Sequence, residues 1–300
     1  MIYKIRHLTA YSYDLPVASA KLVLRVTPRE EAGQHCIEHA LNILPQPLSV
    51  STQHDFYGNA VNVVIIDTPH TELSIEAKST VELTRDAALT ISGPQWEAVA
   101  NEALVLRDLS GLAPAHFLFA SQRVALSLDV TRYARDSFQP GRGIVEACRD
   151  LIRRIKKEFA YEPEATEIST PLAQAFSERH GVCQDFAHIM IAGLRGLGLP
   201  AAYVSGYIRT IPPPGEKRLE GADATHAWVS VWCGAAIGWV GFDPTNAIQA
   251  GNDHIALAVG RDFSDVSPVY GVFVGSGANE LEVEVDVIPV APLQAAEQGA

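Results

Sequence analysis

The sequence predicts an α+β protein: an N-terminal antiparallel β sandwich or barrel followed by a mixed core of helices and strands. Three observations carry this. Up to about residue 85 apolar and polar side chains alternate with a period of two. From Pro94 onward the apolar spacing changes to steps of three and four, the period of a helix. Beyond Gly181 a sharply bracketed helix is followed by three strand-like runs. The 300 residues divide into a β module at 1–90, a helical connecting region at 91–160, a core at 161–290 and a frayed tail at 291–300.

The clearest strand is the segment in which Leu73, Ile75, Ala77, Ser79, Val81 and Leu83 alternate with Ser74, Glu76, Lys78, Thr80, Glu82 and Thr84. One face is buried and the other wet. Leu22 to Val26, Ile37 to Leu44 and Val61 to Ile66 are further strands, separated by turn clusters such as Tyr57-Gly58-Asn59. The module reads as a packing or recognition unit without chemistry, with a surface available for self-association. The run His35-Cys36-Ile37-Glu38-His39 has a metal-like look. On a regular strand only His35 and His39 share a face and the H-E-x-x-H order is missing, so no metal is expected.

Helices are predicted over Trp96 to Leu109 and Asp129 to Phe138, and a third along the stripe Val145, Cys148, Ile152, Ile155 and Phe159. Cys148 lies on that stripe and reads as an inert buried thiol, and Cys36 within a strand reads the same way. The next helix begins at Cys183 after Gly181-Val182 and stops at Gly196, Gly198 and Pro200. Strands are predicted at Ala201 to Ile208, Thr225 to Trp232 and Ile237 to Phe242, with a Pro-rich charged loop, Pro212 to Asp223, placed to cover a cleft. Leu281, Val283, Val285 and Val287 mark a last strand.

Composition removes several classes of function. Hydrophobic residues make up 47% and charged residues 19%, a soluble globular balance. The four cysteines contain no C-x-x-C pair, so neither a zinc ribbon nor a dithiol redox motif is encoded. A net charge of −12 repels phosphate backbones and anionic bilayers, which excludes nucleic acid and membrane surfaces as partners. The segment from Met1 to Ser12 lacks a secretory h-region, and Ala224 to Phe242 is too interrupted by Gly, Ser, Thr and His for a span. A reducing cytoplasm is the expected compartment.

The chemistry concentrates on one thiol. A helix N-terminus stabilises a thiolate through its free N–H groups and macrodipole, and Cys183 stands there. His226, on the strand that follows, is the candidate base, and Asp243 the group that orients it. A hairpin pairing His226 with Asp243 also pairs Trp228 with Gly241, Ser230 with Trp239 and Trp232 with Ile237. It leaves 233–236 as the loop, an ordinary connection. Directly opposed residues have Cβ atoms about 4.5–5.5 Å apart, close enough for a carboxylate to hold an imidazole. Each residue alone has a bland structural reading. The order thiol at a helix start, then His, then Asp is that of papain-like thiol enzymes.

These residues resemble the bacterial transglutaminase-like family, whose members are often labelled cysteine proteases. The resemblance rests on His180-Gly181-Val182-Cys183-Gln184-Asp185-Phe186-Ala187-His188, on Thr225-His226-Ala227-Trp228, and on Gly238-Trp239-Val240-Gly241-Phe242-Asp243-Pro244-Thr245-Asn246. It extends to Val259 through Pro268 and, in the first segment, to Asp55-Phe56-Tyr57-Gly58-Asn59 and His70. It implies a papain-like transglutaminase core with Cys183, His226 and Asp243 as triad, acyl transfer through a thioester, and no metal or organic cofactor. The reaction expected is hydrolysis of peptide or glutamine-type amide bonds in a peptide or protein substrate. Protein-glutamine transamidation is one alternative and a non-catalytic binding module on the same fold is another. Animal transglutaminases carry a Trp well upstream of the nucleophile, and here no Trp lies between Trp96 and Cys183, which bears against transamidation. Gln184 is a candidate oxyanion donor, and Tyr207 and Trp228 are candidate walls of the cleft. Asp185 is expected to cap the first turn of the helix, and His180 and His188 to be structural.

Overall fold

The computed structural model describes residues 1–85, 90–163, 170–210 and 224–290. The first six strands are β1 (Ile2–Val17), β2 (Ser19–Leu24), β3 (Gln34–Leu44), β4 (Ser49–His54), β5 (Ala60–Ile66) and β6 (His70–Leu83). Helices α1 (Trp96–Val105), α2 (Leu128–Arg135) and α3 (Ile144–Glu158) follow. Then come β7 (Ala160–Tyr161), α4 (Leu172–Glu178), β8 (His180–Gly181) and α5 (Cys183–Gly196). The chain continues through β9 (Ala201–Ile208), β10 (Ala224–Trp232), β11 (Trp239–Asp243), β12 (Ile248–Gln249) and β13 (His254–Gly260). It ends with α6 (Phe263–Val266), β14 (Val269–Val274) and β15 (Asn279–Val290). The expected loop 212–223 and the tail 291–300 lie outside the described residues.

The sandwich expected from period two is present. One antiparallel sheet has the order β15-β1-β6-β3, the other β14-β2-β5-β4. Leu22, Leu24, Val64, Ile66, Leu73 and Ile75 are buried between them. The inner face of β6 serves two cores in succession. Leu73, Ile75 and Ala77 fill the sandwich, whereas Val81 and Leu83 pack with Tyr207, Ile255 and Leu257 of the following unit. Alternation alone supplies both sets, because every second residue of a strand points to one side.

The second unit is a five-stranded sheet, β12-β11-β10-β9-β13, with α5 packed on β9 and β10. Phe186, Ile189, Met190 and Leu194 of α5 meet Ala201, Tyr203, Ala227, Val229 and Val231, all buried. The stripe predicted for α3 is buried as expected, with Cys148 fully covered.

Three expectations are corrected. Strands β14 and β15 do not belong to the 161–290 core: Val269–Val274 pairs with β2 and Asn279–Val290 with β1, so the chain returns to complete both sheets of the sandwich. Antiparallel edges recruit strands without regard to distance along the sequence, and alternation in 281–287 cannot say which edge is joined. The β10–β11 hairpin is shifted by two residues, pairing Ser230 with Gly241, Val231 with Val240 and Trp232 with Trp239. Its loop is therefore 233–238, and β11 begins at Trp239 rather than Ile237. An even shift leaves every side chain on its predicted face, so Asp243 and His226 still share one, as diagonal rather than opposed neighbours. Finally, β3 carries an irregularity between Cys36 and Glu38 that pairs His35 with Glu82 but His39 with Ser79. Glu82 and Ser79 lie on opposite faces of β6, so His35 and His39 do as well.

Candidate active site

Cys183 is the first residue of α5, with Val182 as the extended N-cap. The turn is fixed by Asp185, whose Oδ2 accepts the Val182 N–H at 2.9 Å, so this carboxylate caps the first turn as the sequence predicted. The close approach requires glycine at 181. Its φ is +154°, and a Cβ there would stand 2.6 Å from Asp185 Oδ2. Gly181→Ala is expected to cost about 1–3 kcal/mol, read as a lower Tm, and to slow alkylation of Cys183. Unchanged Tm and alkylation would show that the turn does not set the thiol.

His226 lies in β10, and its Nε2 donates to Asp243 Oδ2 at 2.8 Å. Cys183 stands beside the same imidazole on the wall of a shared cavity. Burial pulls the His226 pKa down, but hydrogen bonds to Asp243 and Cys183, with the charges of both, outweigh it and hold it at about 10. Asp243 ends β11 and is wholly buried. Its Oδ1 accepts the backbone N–H groups of Thr245 at 2.9 Å and Asn246 at 3.1 Å, and its Oδ2 accepts Asn246 Nδ2 at 2.8 Å. Burial would raise this carboxyl, but the His226 and His254 hydrogen bonds, the His226 charge and the Asn246 amide keep it well below the usual carboxylate range. The thiol, base and orienting group expected from sequence are thus brought together.

Sequence reasoning missed a fourth member. His254, the first residue of β13, points Nε2 at Asp243 Oδ2 from 3.1 Å and is 1% exposed. Gly251 N–H donates to His254 Nδ1 at 3.3 Å, which leaves the hydrogen on Nε2 and makes His254 a donor to the carboxylate. The available signal was a histidine opening the apolar run His254–Gly260, where a buried ring must find a partner. His254 acts through Asp243 and is a positioning residue. His254→Ala is expected to lower kcat/KM by about 10- to 100-fold, since a hydrogen bond to a charged group contributes about 1.5–3 kcal/mol. Without this donor the carboxylate pulls harder on the His226 proton, so the alkaline limb of the pH profile moves up. His254→Gln, which restores a donor, is expected to recover much of the rate; an unmoved limb in His254→Ala would refute the role.

Atoms of His226, Asp243 and His254 lie within 4.8 Å of one another, the one described His/Cys/Asp/Glu group with metal-ligand proximity. They are engaged with each other by the hydrogen bonds above. His35 meets Glu30, and His39 meets Thr27 and Ser79. His180 contacts Glu178, and His188 Nε2 accepts the Phe263 N–H, structural roles as predicted.

Cys183, Gln184 and His226 open onto a cavity of about 300 Å³. Tyr207 and Trp228, expected as its walls, do not line it. Tyr207 is buried between the two units, where His7 Nδ1 is 2.8 Å from its hydroxyl. Trp228 stacks beneath the His226 ring with centroids 6.2 Å apart and meets His254 edge-on at 5.1 Å. A Cβ at Gly206 would stand 2.6 Å from the Trp228 ring, so glycine there makes room for this support. The other thiols have no such setting. Burial pushes Cys148 well above its ordinary value and Cys233 up to about 12, and burial with the Glu30 charge raises Cys36.

The fold and this constellation define a transglutaminase-like protein, and comparison with known proteins agrees. Residues 3–82 match the model of the bacterial transglutaminase-like N-terminal region, and residues 131–244 match that of the transglutaminase-like superfamily. An uncharacterized protein of Mycobacterium tuberculosis is 39% identical over 295 residues, covering 96% of this chain and 92% of its own. The chain belongs to the bacterial transglutaminase-like family. A crystal structure from Cytophaga hutchinsonii, of a protein provisionally named a cysteine protease, superposes with a TM-score of 0.74 at 23% identity, over 97% of this chain and 92% of that one. A protein-glutamine gamma-glutamyltransferase of Pseudomonas aeruginosa is 33% identical over 103 residues, 32% of this chain and 15% of that protein. No described helix is long and apolar enough to cross a membrane.

Proposed function

We propose that the protein hydrolyses peptide or glutamine-type amide bonds through a Cys183 thioester. The observation that carries this reading is the helix-start thiol and His226 facing one cavity, with His226 bonded in turn to the buried Asp243. Cys183 sulfur attacks the amide carbon, His226 delivers its proton to the leaving nitrogen, and an amine or ammonia departs. Water then attacks the thioester carbon while His226 takes its proton, releasing the acid and the thiol. Asp243, held ionised, orients the imidazole and balances its charge. The backbone N–H of Cys183 at the start of α5 suits the oxyanion, with Gln184 beside it on the cavity wall. Peptide or protein substrates fit the open cleft, and a reducing cytoplasm fits four free cysteines.

Transamidation is the second reading, favoured by the 103-residue similarity to the Pseudomonas aeruginosa gamma-glutamyltransferase. In it a primary amine replaces water in the second half. One experiment tests both. Glutamine-containing peptides are offered with and without a fluorescent alkylamine, and intact-mass spectra of the quenched protein are recorded. A peptide-sized acyl adduct on Cys183 is expected, with acid as the main product. Amine incorporation as the main product would favour the second reading, and absence of any adduct or turnover across a peptide library would leave a binding module.

A further inference from the structure

We propose that the N-terminal sandwich supplies a substrate subsite, built from β1 and β15 beside Cys183, that accepts an apolar side chain flanking the scissile amide. This rests on the thiol-dependent reading above and deepens it.

The cavity that holds Cys183 and His226 is walled on its far side by the sandwich, through Thr9 and Tyr11 of β1 and Leu281 and Val283 of β15. These four form two directly opposed pairs, Thr9 with Val283 and Tyr11 with Leu281. Period two places them on the same face as Val285 and Val287, which are buried against Ile255 and Leu257. The apolar face between the two units therefore runs outward until the catalytic core no longer covers it. There Leu281 is 54% exposed and Val283 45%, while Val285 and Val287, further along the same face, are fully covered. Exposed branched apolar side chains of this kind, continuous with a cavity that ends at a nucleophile, mark a surface awaiting an apolar occupant.

The occupant is set by what the walls lack. Among the described lining residues none is Asp, Glu, Lys or Arg. His7, also on the wall, is pushed by burial down to about 4 and is neutral at physiological pH. The acidic residues of β15, Glu280, Glu282 and Glu284, alternate with the cavity face and so project from the opposite side of the strand. A charged side chain seated against Leu281 and Val283 would lose its hydration there, and the one cation among the described lining residues, His226, is already paired with Asp243. At about 300 Å³ the space is at the small end of ligand sites, suited to one large side chain and its backbone.

The test separates binding from chemistry. Full-length Cys183→Ala protein is titrated with blocked tripeptides Ac-X-Gln-X-NH2 in which X is Phe, Leu, Glu or Lys. Placing X on both sides removes the need to know the strand direction of the substrate. Phe and Leu peptides are expected to bind at least about tenfold more tightly than Glu and Lys peptides, the discrimination that burying one such side chain confers. Leu281→Asp, at an exposed position where folding is tolerant, is expected to abolish that preference, and Leu281→Lys to favour the Glu peptide. Equal binding of all four peptides, or a preference that survives both variants with unchanged Tm, overturns the subsite. Failure of the chemistry shows elsewhere, as absence of acyl adducts on wild-type Cys183 while the apolar preference in binding persists.

Discussion

Cys183→Ala is expected to lower kcat/KM for any amide substrate by at least about 10⁴-fold, with Tm nearly unchanged. The size follows from the chemistry. No other thiol can stand in, since Cys148 and Cys233 are buried, Cys36 lies in the sandwich, and none of the three is among the residues lining the cavity that holds His226. The residual rate comes from binding and oxyanion donors alone. The small change in Tm follows from position, because the first residue of a helix tolerates alanine and Cys183 is only partly buried. Cys183→Ser is expected to fall nearly as far: serine keeps the shape but is a far weaker acid, and His226 would have to remove its proton within the transition state. Turnover above about one per cent of wild type in either variant would show that the thiol is not the nucleophile.

Asp243→Asn is expected to lower kcat by about 10³- to 10⁴-fold and to move the pH profile as well. The carboxylate accepts from His226, His254, the Asn246 amide and two backbone N–H groups. An asparagine has one accepting oxygen, so its NH2 must face at least one of these donors, and the imidazole loses its preferred orientation. With the anion gone, burial dominates at His226, and its pKa falls from about 10. The alkaline limb of kcat/KM should therefore move to lower pH, opposite in sign to the His254→Ala shift. Stability follows the same linkage. Asp243, held below its unfolded value, stabilises the fold above pH about 4, and this is lost as pH falls further. His226, held above its unfolded value, stabilises the fold below pH about 6.5, and this is lost as pH rises toward 10. Titration of His226 by NMR in wild type and Asp243→Asn checks the shift directly; an unchanged midpoint would contradict the assigned ion pair.

The thiol, base and carboxylate were legible because each sits on an element with a strong local signal: glycines bracketing α5, and alternation through β10 and β11. Face assignment survived a wrong register because the error was even. His254 was hidden, since its partner is set by the pairing of β13 with β9 across the sheet, a contact between strands remote in sequence. Tyr207 and Trp228 were misplaced for a related reason. Alternation says that a side chain leaves one face of a sheet, but not whether α5, the sandwich or solvent covers that part of it. The return of β14 and β15 to the sandwich was the largest unread feature, and it brings Leu281 and Val283 to the cleft.

The most direct test of the central claim is competition among the four cysteines for limiting iodoacetamide near pH 7, followed by peptide mapping, in wild type and His226→Ala. Cys183 is expected to carry nearly all of the early label in wild type and to lose that lead in the variant. Label appearing first on Cys36, or a Cys183 lead unaffected by His226→Ala, would contradict an activated thiol at this site.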